Sequence, residues 1–119
     1  MLWTAVSKRL PKPYQTKSPF LVTRGNSVVV DYYNGDGTWY GDVESSDKVV
    51  AWMKMPAIDS GQVDWKDFLL EQPKNNLTKC LVVRQDAKLS NIAIWYSGCW
   101  VPDYSDVRYW SEFPKGYKL

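Results

Sequence analysis

Six of the seven tryptophans in this chain fall into three matched pairs, and this repetition constrains the fold more than any other feature. The members of each pair are 62, 61 and 58 residues apart: Trp3 with Trp65, Trp39 with Trp100, and Trp52 with Trp110. The phrase Leu21-Val22-Thr23-Arg24 also returns, as Leu81-Val82-Val83-Arg84. A sequence that repeats in this way is built from one structural unit used more than once. We therefore predict two modules, residues 1–58 and residues 59–119.

Each module by itself, at about 60 residues, is expected to be only marginally stable. A domain of about 60 residues buries only about 60% of the surface that its unfolded chain exposes. The sequence has no disulfide framework or metal-ligand pattern that would stabilise a lone half. We expect the two copies to share a core and to form one folding unit, for which 45% hydrophobic and 15% aromatic residues are sufficient.

The local pattern predicts a mainly β protein with little helix. Segments rich in β-branched and aromatic residues alternate with turns that contain Gly and Asn, which is typical of antiparallel hairpins. The predicted strands are 20–24, 27–33 and 48–53 in the first copy, and 79–84, 89–96 and 107–113 in the second. We expect two antiparallel β-meanders of three or four strands each, packed as a sandwich or as one sheet.

Two finer predictions concern local structure. Residues 63–71 read as a helical turn or two, with Asp64 as the N-cap. Alternation in the second strand of each copy predicts one buried face, which carries Val28, Val30 and Tyr32 in the first copy and Ile92 and Ile94 in the second. Aromatic positions that both copies keep are predicted to form the core: Trp3 and Trp65, Tyr33 and Trp95, Trp39 and Trp100, and Trp52 and Trp110.

The charge pattern does not favour a dedicated nucleic-acid binder. The net charge is +2, and the basic residues of segment 1–30 are followed by eight acids in segment 31–67. We interpret this pattern as an ordinary solvated surface. The two cysteines occupy unmatched positions, and Cys80 is predicted to be a small buried residue. Without a signal-peptide pattern or a membrane-spanning stretch, we expect a cytoplasmic protein that does not bind membranes.

The sequence offers no clear catalytic machinery. The chain has no histidine, so the usual general base at neutral pH is missing. No Walker loop, dinucleotide-binding glycine motif or nucleophile elbow occurs. The loop acids Asp36, Asp42, Glu44 and Asp47 are an alternative set of metal ligands, and Asp103 with Asp106 is an alternative acid pair, but turns are rich in Asp for conformational reasons. We expect a protein without enzymatic activity, metal or cofactor.

Residues 3–56 resemble a known family. The motifs are Trp3-Thr-Ala-Val6-Ser-Lys-Arg9-Leu10-Pro11, then Phe20-Leu-Val22, and Val50-Ala51-Trp52-Met53-Lys54-Met55-Pro56. They resemble the family of domains of unknown function numbered 551, which is common in phages, prophages and mobile elements. The family usually has a histidine before the terminal tryptophan, where this chain has Ala51 and Tyr109. The resemblance implies a small β-rich, phage-type domain and no particular chemistry.

Two functional hypotheses follow, and both use aromatic residues. The first is an interaction protein that inhibits a host protein, because exposed aromatic residues are typical of binding hot spots. Its predicted partner-binding residues are Tyr40, Asp42, Glu44, Tyr104 and Tyr109. The alternative is a protein that binds a nucleotide or a short single-stranded nucleic acid, in which rings stack on bases and cations meet phosphates. Its predicted ligand-binding residues are Lys8, Arg9, Lys12, Lys17 and Tyr14.

A third alternative is a virion or other structural component. The sequence also leaves the oligomeric state open between a monomer and a homodimer.

Overall fold

The computed structural model describes residues 3–59, 61 and 63–118. The chain divides into two compact units: unit 1 consists of Met1–Met55 with Lys115–Leu119, and unit 2 consists of Pro56–Pro114. This division differs from the boundary predicted after residue 58 chiefly because the last five residues belong to unit 1. Whether the units fold together stays a prediction.

Unit 1 contains a four-stranded antiparallel sheet in the order β1-β4-β2-β3. Its strands are β1 (Thr4–Ala5), β2 (Pro19–Arg24), β3 (Ser27–Tyr32) and β4 (Val49–Lys54). Two short 3₁₀ turns interrupt the connections, Pro13–Gln15 and Tyr40–Val43. Pro13 suits the first of these turns because a proline at the first helical position loses no intrahelical hydrogen bond.

Unit 2 contains a five-stranded antiparallel sheet in the order β5-β9-β6-β7-β8. Its strands are β5 (Lys66–Asp67), β6 (Thr78–Arg84), β7 (Asn91–Tyr96), β8 (Cys99–Val101) and β9 (Val107–Glu112). The mainly β class and the two antiparallel sheets are confirmed. The strand order refines the predicted meanders, since β4 and β9 return to pair with β2 and β6 rather than with the preceding strand.

The two sheets repeat the same details at matched positions. The register shifts between Thr23 and Arg24 in β2, and between Val83 and Arg84 in β6. The Trp52 indole N–H donates to the Arg9 carbonyl at 2.8 Å, and the Trp110 indole N–H donates to the Glu71 carbonyl at 2.8 Å. The internal repeat in the sequence is therefore a repeat in the structure, including its irregularities.

Each unit packs an apolar cluster that contains two of its tryptophans. In unit 1 the Phe20 ring meets the rings of Trp39 and Trp52 edge-on, with centroid distances of 5.9 and 5.4 Å. The cluster consists of Phe20, Val22, Tyr33, Trp39, Val49 and Trp52. The prediction that matched aromatic positions form the core is confirmed for six of the eight, whereas Trp65 and Trp95 are half-buried.

In unit 2 the smaller Cys80 stands where unit 1 has Phe20. Phe68 and Trp95 supply the missing volume, because they pack against Trp100 with centroid distances of 5.5 and 4.8 Å. The cluster consists of Cys80, Val82, Ala93, Trp100, Val107 and Trp110. Cys80 is buried, as predicted, and this burial raises the pKa of its thiol to about 12.

Two local predictions were wrong. Residues 63–71 do not form a helix capped by Asp64: Lys66 and Asp67 pair with β9. A single turn follows, in which the Asp67 carbonyl accepts the Glu71 N–H and the Asp67 carboxylate accepts the Leu69 N–H, both at 2.9 Å. The buried face of β3 is the opposite one, since Asp31 is 5% exposed and Tyr32 is 43% exposed. Because β3 carries valines on both faces, the sequence pattern does not show which face is buried. The buried face is the one that carries Asp31, which pairs with the buried Arg24. The prediction for unit 2 fails in the same way, since Ala93 is buried and Ile94 is exposed.

The last residues of the chain lie against β2 and the entry segment of unit 1. The Trp3 indole N–H donates to the Lys115 carbonyl at 2.8 Å, and the Tyr117 N–H donates to the Thr23 hydroxyl at 3.0 Å. A side chain at Gly116 would begin 3.3 Å from the Thr23 methyl group, so glycine allows the close approach.

We predict that Thr23→Val releases this tail. The substitution removes the acceptor of the Tyr117 N–H and lowers the free energy of unfolding by about 1–2 kcal/mol. Trypsin should then cut faster after Lys115 and Lys118, which limited proteolysis with mass spectrometry measures. The control is Val83→Thr at the matched position of unit 2. Unchanged cleavage in Thr23→Val would show that the hydroxyl does not hold the tail.

Candidate protein-interaction site

An exposed turn in unit 1 presents two large apolar side chains to solvent. The chain leaves the buried Trp39 and forms the 3₁₀ turn Tyr40–Val43. Tyr40 is 69% exposed and Val43 is 88% exposed. Side chains of this kind bury favourably against a partner, and tyrosine is enriched in binding hot spots.

Arg24 fixes this turn to the sheet from beneath. Its side chain is almost fully buried at the end of β2, and its Nη2 donates to Asp31 Oδ2 at 2.7 Å and to Asp42 Oδ1 at 2.8 Å. Its Nη1 donates to the Asp47 carbonyl at 2.7 Å. One guanidinium therefore joins β2, β3, the turn and the loop that follows the turn.

The carboxylates that face Arg24 have further partners. Asp31 Oδ1 accepts the Tyr32 N–H at 2.8 Å and the Gly41 N–H at 3.0 Å. Asp42 Oδ2 accepts the Trp39 N–H at 2.9 Å. Buried charges are tolerated when their remaining donors and acceptors are used in this way. The turn is thus held in one geometry.

Gly41 is required by this arrangement. A Cβ at this position would lie 2.6 Å from Asp31 Oδ2 and 3.1 Å from Arg24 Nη2. Both contacts are with the ion pair, so a larger residue would push the turn away from the guanidinium.

The contacts within the ion pair also shift the pKa values of Asp42 and Arg24. Burial by itself raises the pKa of Asp42, but the Trp39 N–H and the Arg24 guanidinium outweigh it and hold that pKa below its usual value. For Arg24, burial lowers the pKa, and the hydrogen bonds to Asp31 and Asp42 outweigh this effect and raise it. Asp42 and Arg24 are therefore both charged at neutral pH.

The matched arginine of unit 2 has a different environment. Arg84 Nε donates to Asp106 Oδ1 at 2.7 Å, and the two side chains are 40% and 33% exposed. The guanidinium carbon lies 4.3 Å from the Tyr104 ring centroid, within cation–π distance. In unit 1, Phe20 lies opposite Asp31 in the strand pairing, and at the matched position of unit 2, Cys80 lies opposite Ala93. Unit 2 therefore has no carboxylate at the position of Asp31.

An open groove of about 510 Å³ adjoins the turn of unit 1. Its apolar lining includes Leu10 and Trp39, and its polar lining includes Asp42, Asp47 and Lys48. The groove gives the exposed turn a neighbouring concave surface, which a partner side chain could enter.

The predicted partner-binding residues differ in their surroundings. Tyr40 and Glu44 are exposed at the two ends of the turn, whereas both carboxylate oxygens of Asp42 are engaged within the protein. We therefore assign Asp42 as a positioning residue. In unit 2, Tyr104 is half-buried beside Arg84, and Tyr109 is half-buried on β9. Their part in binding stays a prediction.

The predicted ligand-binding residues fall into two groups. Lys8 and Arg9 line a second open cavity, of about 380 Å³, together with Trp3, Thr4, Ala5 and Tyr117. Lys12, Tyr14 and Lys17 lie outside this lining, in or beside the 3₁₀ turn Pro13–Gln15. Tyr14 is 80% exposed.

Three residues of the candidate site were missed from the sequence: Arg24, Asp31 and Val43. The signal for the first was available, because Arg24 and Arg84 end the same repeated phrase. The signal for the second was an aspartate within a valine-rich strand, where an inward charge must find a partner. Nothing in the sequence marks Val43 as exposed.

Within the residues that the structure describes, no group of three or more carboxylate or thiol side chains lies close enough to hold a metal ion. No helix within the same residues is long and apolar enough to cross a membrane.

Comparison with known proteins gives no family. No family model matches the chain, and no curated protein or solved structure matches it. The resemblance of residues 3–56 to the family numbered 551 therefore stays a prediction.

We predict that Asp31→Ala destabilises the protein far more than removal of Asp106, the ion-pair partner of Arg84 in unit 2. Removing Asp31 leaves a buried guanidinium with half of its neutralising charge, and breaking a buried pair costs about 3–5 kcal/mol. The matched control, Asp106→Ala, breaks a half-exposed pair worth about 0–1 kcal/mol. Urea unfolding followed by tryptophan fluorescence measures both. Equal losses in the two variants would contradict a special role for the Arg24 ion pair.

Proposed function

We propose that this chain is a non-catalytic binding protein that contacts a partner protein through the Tyr40–Val43 turn. The observation that carries the proposal is the combination of an exposed Tyr40 and Val43 with a base fixed by the buried Arg24 ion pair. A rigid turn loses little conformational entropy on binding, so more of its contact energy appears as affinity.

The surroundings of the turn indicate the kind of partner. Asp36, Glu44 and Asp47 are exposed near the turn in sequence, and segment 32–48 contains one cation, Lys48, which lines the adjoining groove. An apolar tip in acidic surroundings fits a partner that has an apolar pocket with a basic rim. Together with the phage-type resemblance, this supports an inhibitor of a host protein that acts in the host cytoplasm.

We predict that Tyr40→Ala weakens partner binding by about 30-fold or more. A hot-spot aromatic contributes at least about 2 kcal/mol, which corresponds to about a 30-fold loss of affinity. The measurement is quantitative mass spectrometry of proteins retained by the tagged chain from bacterial lysate, followed by titration of the purified partner. The matched control is Tyr14→Ala, which removes another exposed tyrosine, from the other 3₁₀ turn of unit 1. If the Tyr40→Ala and Tyr14→Ala variants bind the partner with the same affinity, the proposal is contradicted.

A second function, binding of a nucleotide or a short single strand, is favoured by the cavity beside Lys8 and Arg9. Both side chains are exposed cations, and the aromatic residues Trp3 and Tyr117 line the same cavity. Cations beside an aromatic ring are the groups that meet phosphates and bases.

We predict for this second function that nucleotides change the fluorescence of Trp3, which lines the cavity. The double substitution Lys8→Ala with Arg9→Ala should weaken the binding by about 10-fold or more and reduce its dependence on salt. Substitution of Lys74, an exposed lysine of unit 2, serves as the control. A flat titration over common and cyclic nucleotides excludes this function and leaves the protein-binding proposal untouched.

A further inference from the structure

The groove beside the turn of unit 1 has a filled counterpart in unit 2. Three residues after the first matched tryptophan, unit 1 has Val6 and unit 2 has Phe68. The Phe68 ring packs against Trp100 with a centroid distance of 5.5 Å. In unit 1, Val6 lines the open groove together with Trp39, the counterpart of Trp100. A phenylalanine ring of the chain itself therefore occupies the place beside the tryptophan in one copy, and in the other copy that place adjoins an open groove.

The phenylalanine that unit 1 carries on β2 does not close this groove. Phe20 reaches Trp39 with a centroid distance of 5.9 Å and is 1% exposed. It belongs to the interior of the apolar cluster and not to the lining of the groove. The groove of about 510 Å³ thus lies outside the packed cluster, and its volume falls within the range of about 300–1,000 Å³ that ligand sites have.

The accessible apolar surface of the groove comes chiefly from two side chains. Leu10 is 37% exposed and Val6 is half-buried, whereas Trp39 is 3% exposed. A ring that enters the groove buries the exposed surface of Leu10 and Val6, which is favourable in proportion to the apolar area removed from water.

The polar rim of the groove is fixed in place and carries excess negative charge. The Asp47 carbonyl accepts Arg24 Nη1 at 2.7 Å, and the Asp47 N–H donates to the Ser45 hydroxyl at 3.2 Å. This backbone holds the exposed Asp47 side chain at the rim. The exposed acids of segment 32–48 that do not pair with Arg24 are Asp36, Glu44 and Asp47, and they outnumber the single cation of that segment, Lys48.

The basic residues that precede Leu10 lie elsewhere. Lys8 and Arg9 line the other cavity of unit 1, and the Arg9 guanidinium carbon lies 5.9 Å from the Trp52 ring centroid. The groove therefore combines an apolar interior with a rim that favours a cation.

We propose that this groove holds a phenylalanine side chain of the partner protein, beside a basic residue of the partner that pairs with Asp47. The ring takes the place next to Trp39 that Phe68 takes next to Trp100 in unit 2. The inference rests on the proposed function, because the groove adjoins the turn that contacts the partner. It adds the chemistry by which the partner is recognised.

The first test is a nuclear magnetic resonance titration of the full chain, labelled with ¹⁵N, with two peptides. The probe is acetyl-Arg-Phe-Arg-amide, and acetyl-Arg-Ala-Arg-amide has the same charge without the ring. We expect the signals of Val6, Leu10 and the Trp39 indole to shift, with at least ~10-fold higher affinity for the phenylalanine peptide. Equal affinity for the two peptides, or no shift of these signals at ~10 mM peptide, overturns the proposal.

The second test fills the groove from within the chain. Val6→Phe gives unit 1 the residue that unit 2 has at the matched position, and it should weaken binding of the phenylalanine peptide by ~10-fold or more. The control is Val101→Phe, which adds the same ring at an exposed valine of unit 2. If both variants bind the peptide as the wild type does, the proposal is wrong.

A second variant keeps the test valid if Val6→Phe unfolds. Leu10→Ser removes exposed apolar surface from the groove, and Leu10 is not a member of the buried cluster. We expect it to weaken binding of the phenylalanine peptide by ~3-fold or more. A folded Leu10→Ser variant that binds with unchanged affinity contradicts the proposed occupant.

The basic flank is tested by Asp47→Asn. The substitution should weaken binding of the phenylalanine peptide by ~2–5-fold at low salt, which is the contribution of an exposed ion pair. The control is Glu71→Gln, which removes the same charge from an exposed acid of unit 2. Equal affinities in the two variants overturn the pairing with Asp47.

Failure of this inference is distinguishable from failure of the proposed function. Tyr40 does not line the groove, so Tyr40→Ala should bind the peptide as the wild type does. If Tyr40→Ala weakens binding of the partner protein and Val6→Phe does not, the inference about the groove fails and the proposed function stands. If the peptide enters the groove but Tyr40→Ala binds the partner normally, the proposed role of the turn fails instead.

Discussion

The buried guanidinium of Arg24 is the constraint on which the functional surface of unit 1 depends. It meets two carboxylates and one carbonyl, at 2.7 to 2.8 Å, and these partners lie on separate segments. A buried ion pair adds little stability over an apolar replacement, yet it strongly resists the loss of one member. Its effect is therefore positional. The turn Tyr40–Val43 can present exposed apolar side chains because the charges beneath it allow one arrangement.

The register shift at the end of β2 makes this contact possible. A bulge redirects a side chain and terminates regular pairing, and the shift falls between Thr23 and Arg24. The same shift precedes Arg84 in unit 2, where Ala93 replaces the buried carboxylate. Arg84 there lies nearer to solvent, over Tyr104 and beside Asp106. The same register shift thus precedes an arginine in a buried ion pair in unit 1 and an arginine in a half-exposed ion pair in unit 2.

The two copies also differ around the matched tryptophans Trp39 and Trp100. After Trp39 the chain of unit 1 forms a 3₁₀ turn held by Asp31 and Asp42. Trp100 of unit 2 lies within the strand β8, which ends at Val101. The exposed apolar turn is therefore a feature of unit 1 that its matched segment in unit 2 does not repeat.

The sequence by itself determined the repeat, the β class and the approximate strands. The predicted strand 20–24 is β2 at Pro19–Arg24, because β-branched residues between turn signals specify a strand locally. Tryptophans kept in both copies also identified most of the core. Tertiary structure alone decided the face of β3, the strand formed by Lys66 and Asp67, and the place of Lys115 and Tyr117. Each of these depends on a partner distant in sequence: Arg24 for Asp31, β9 for β5, and Trp3 and Thr23 for the tail. The local sequence pattern determines which secondary structure a segment favours. A buried charge or an unpaired backbone group needs a hydrogen-bond partner, and the tertiary fold decides which distant residue supplies it.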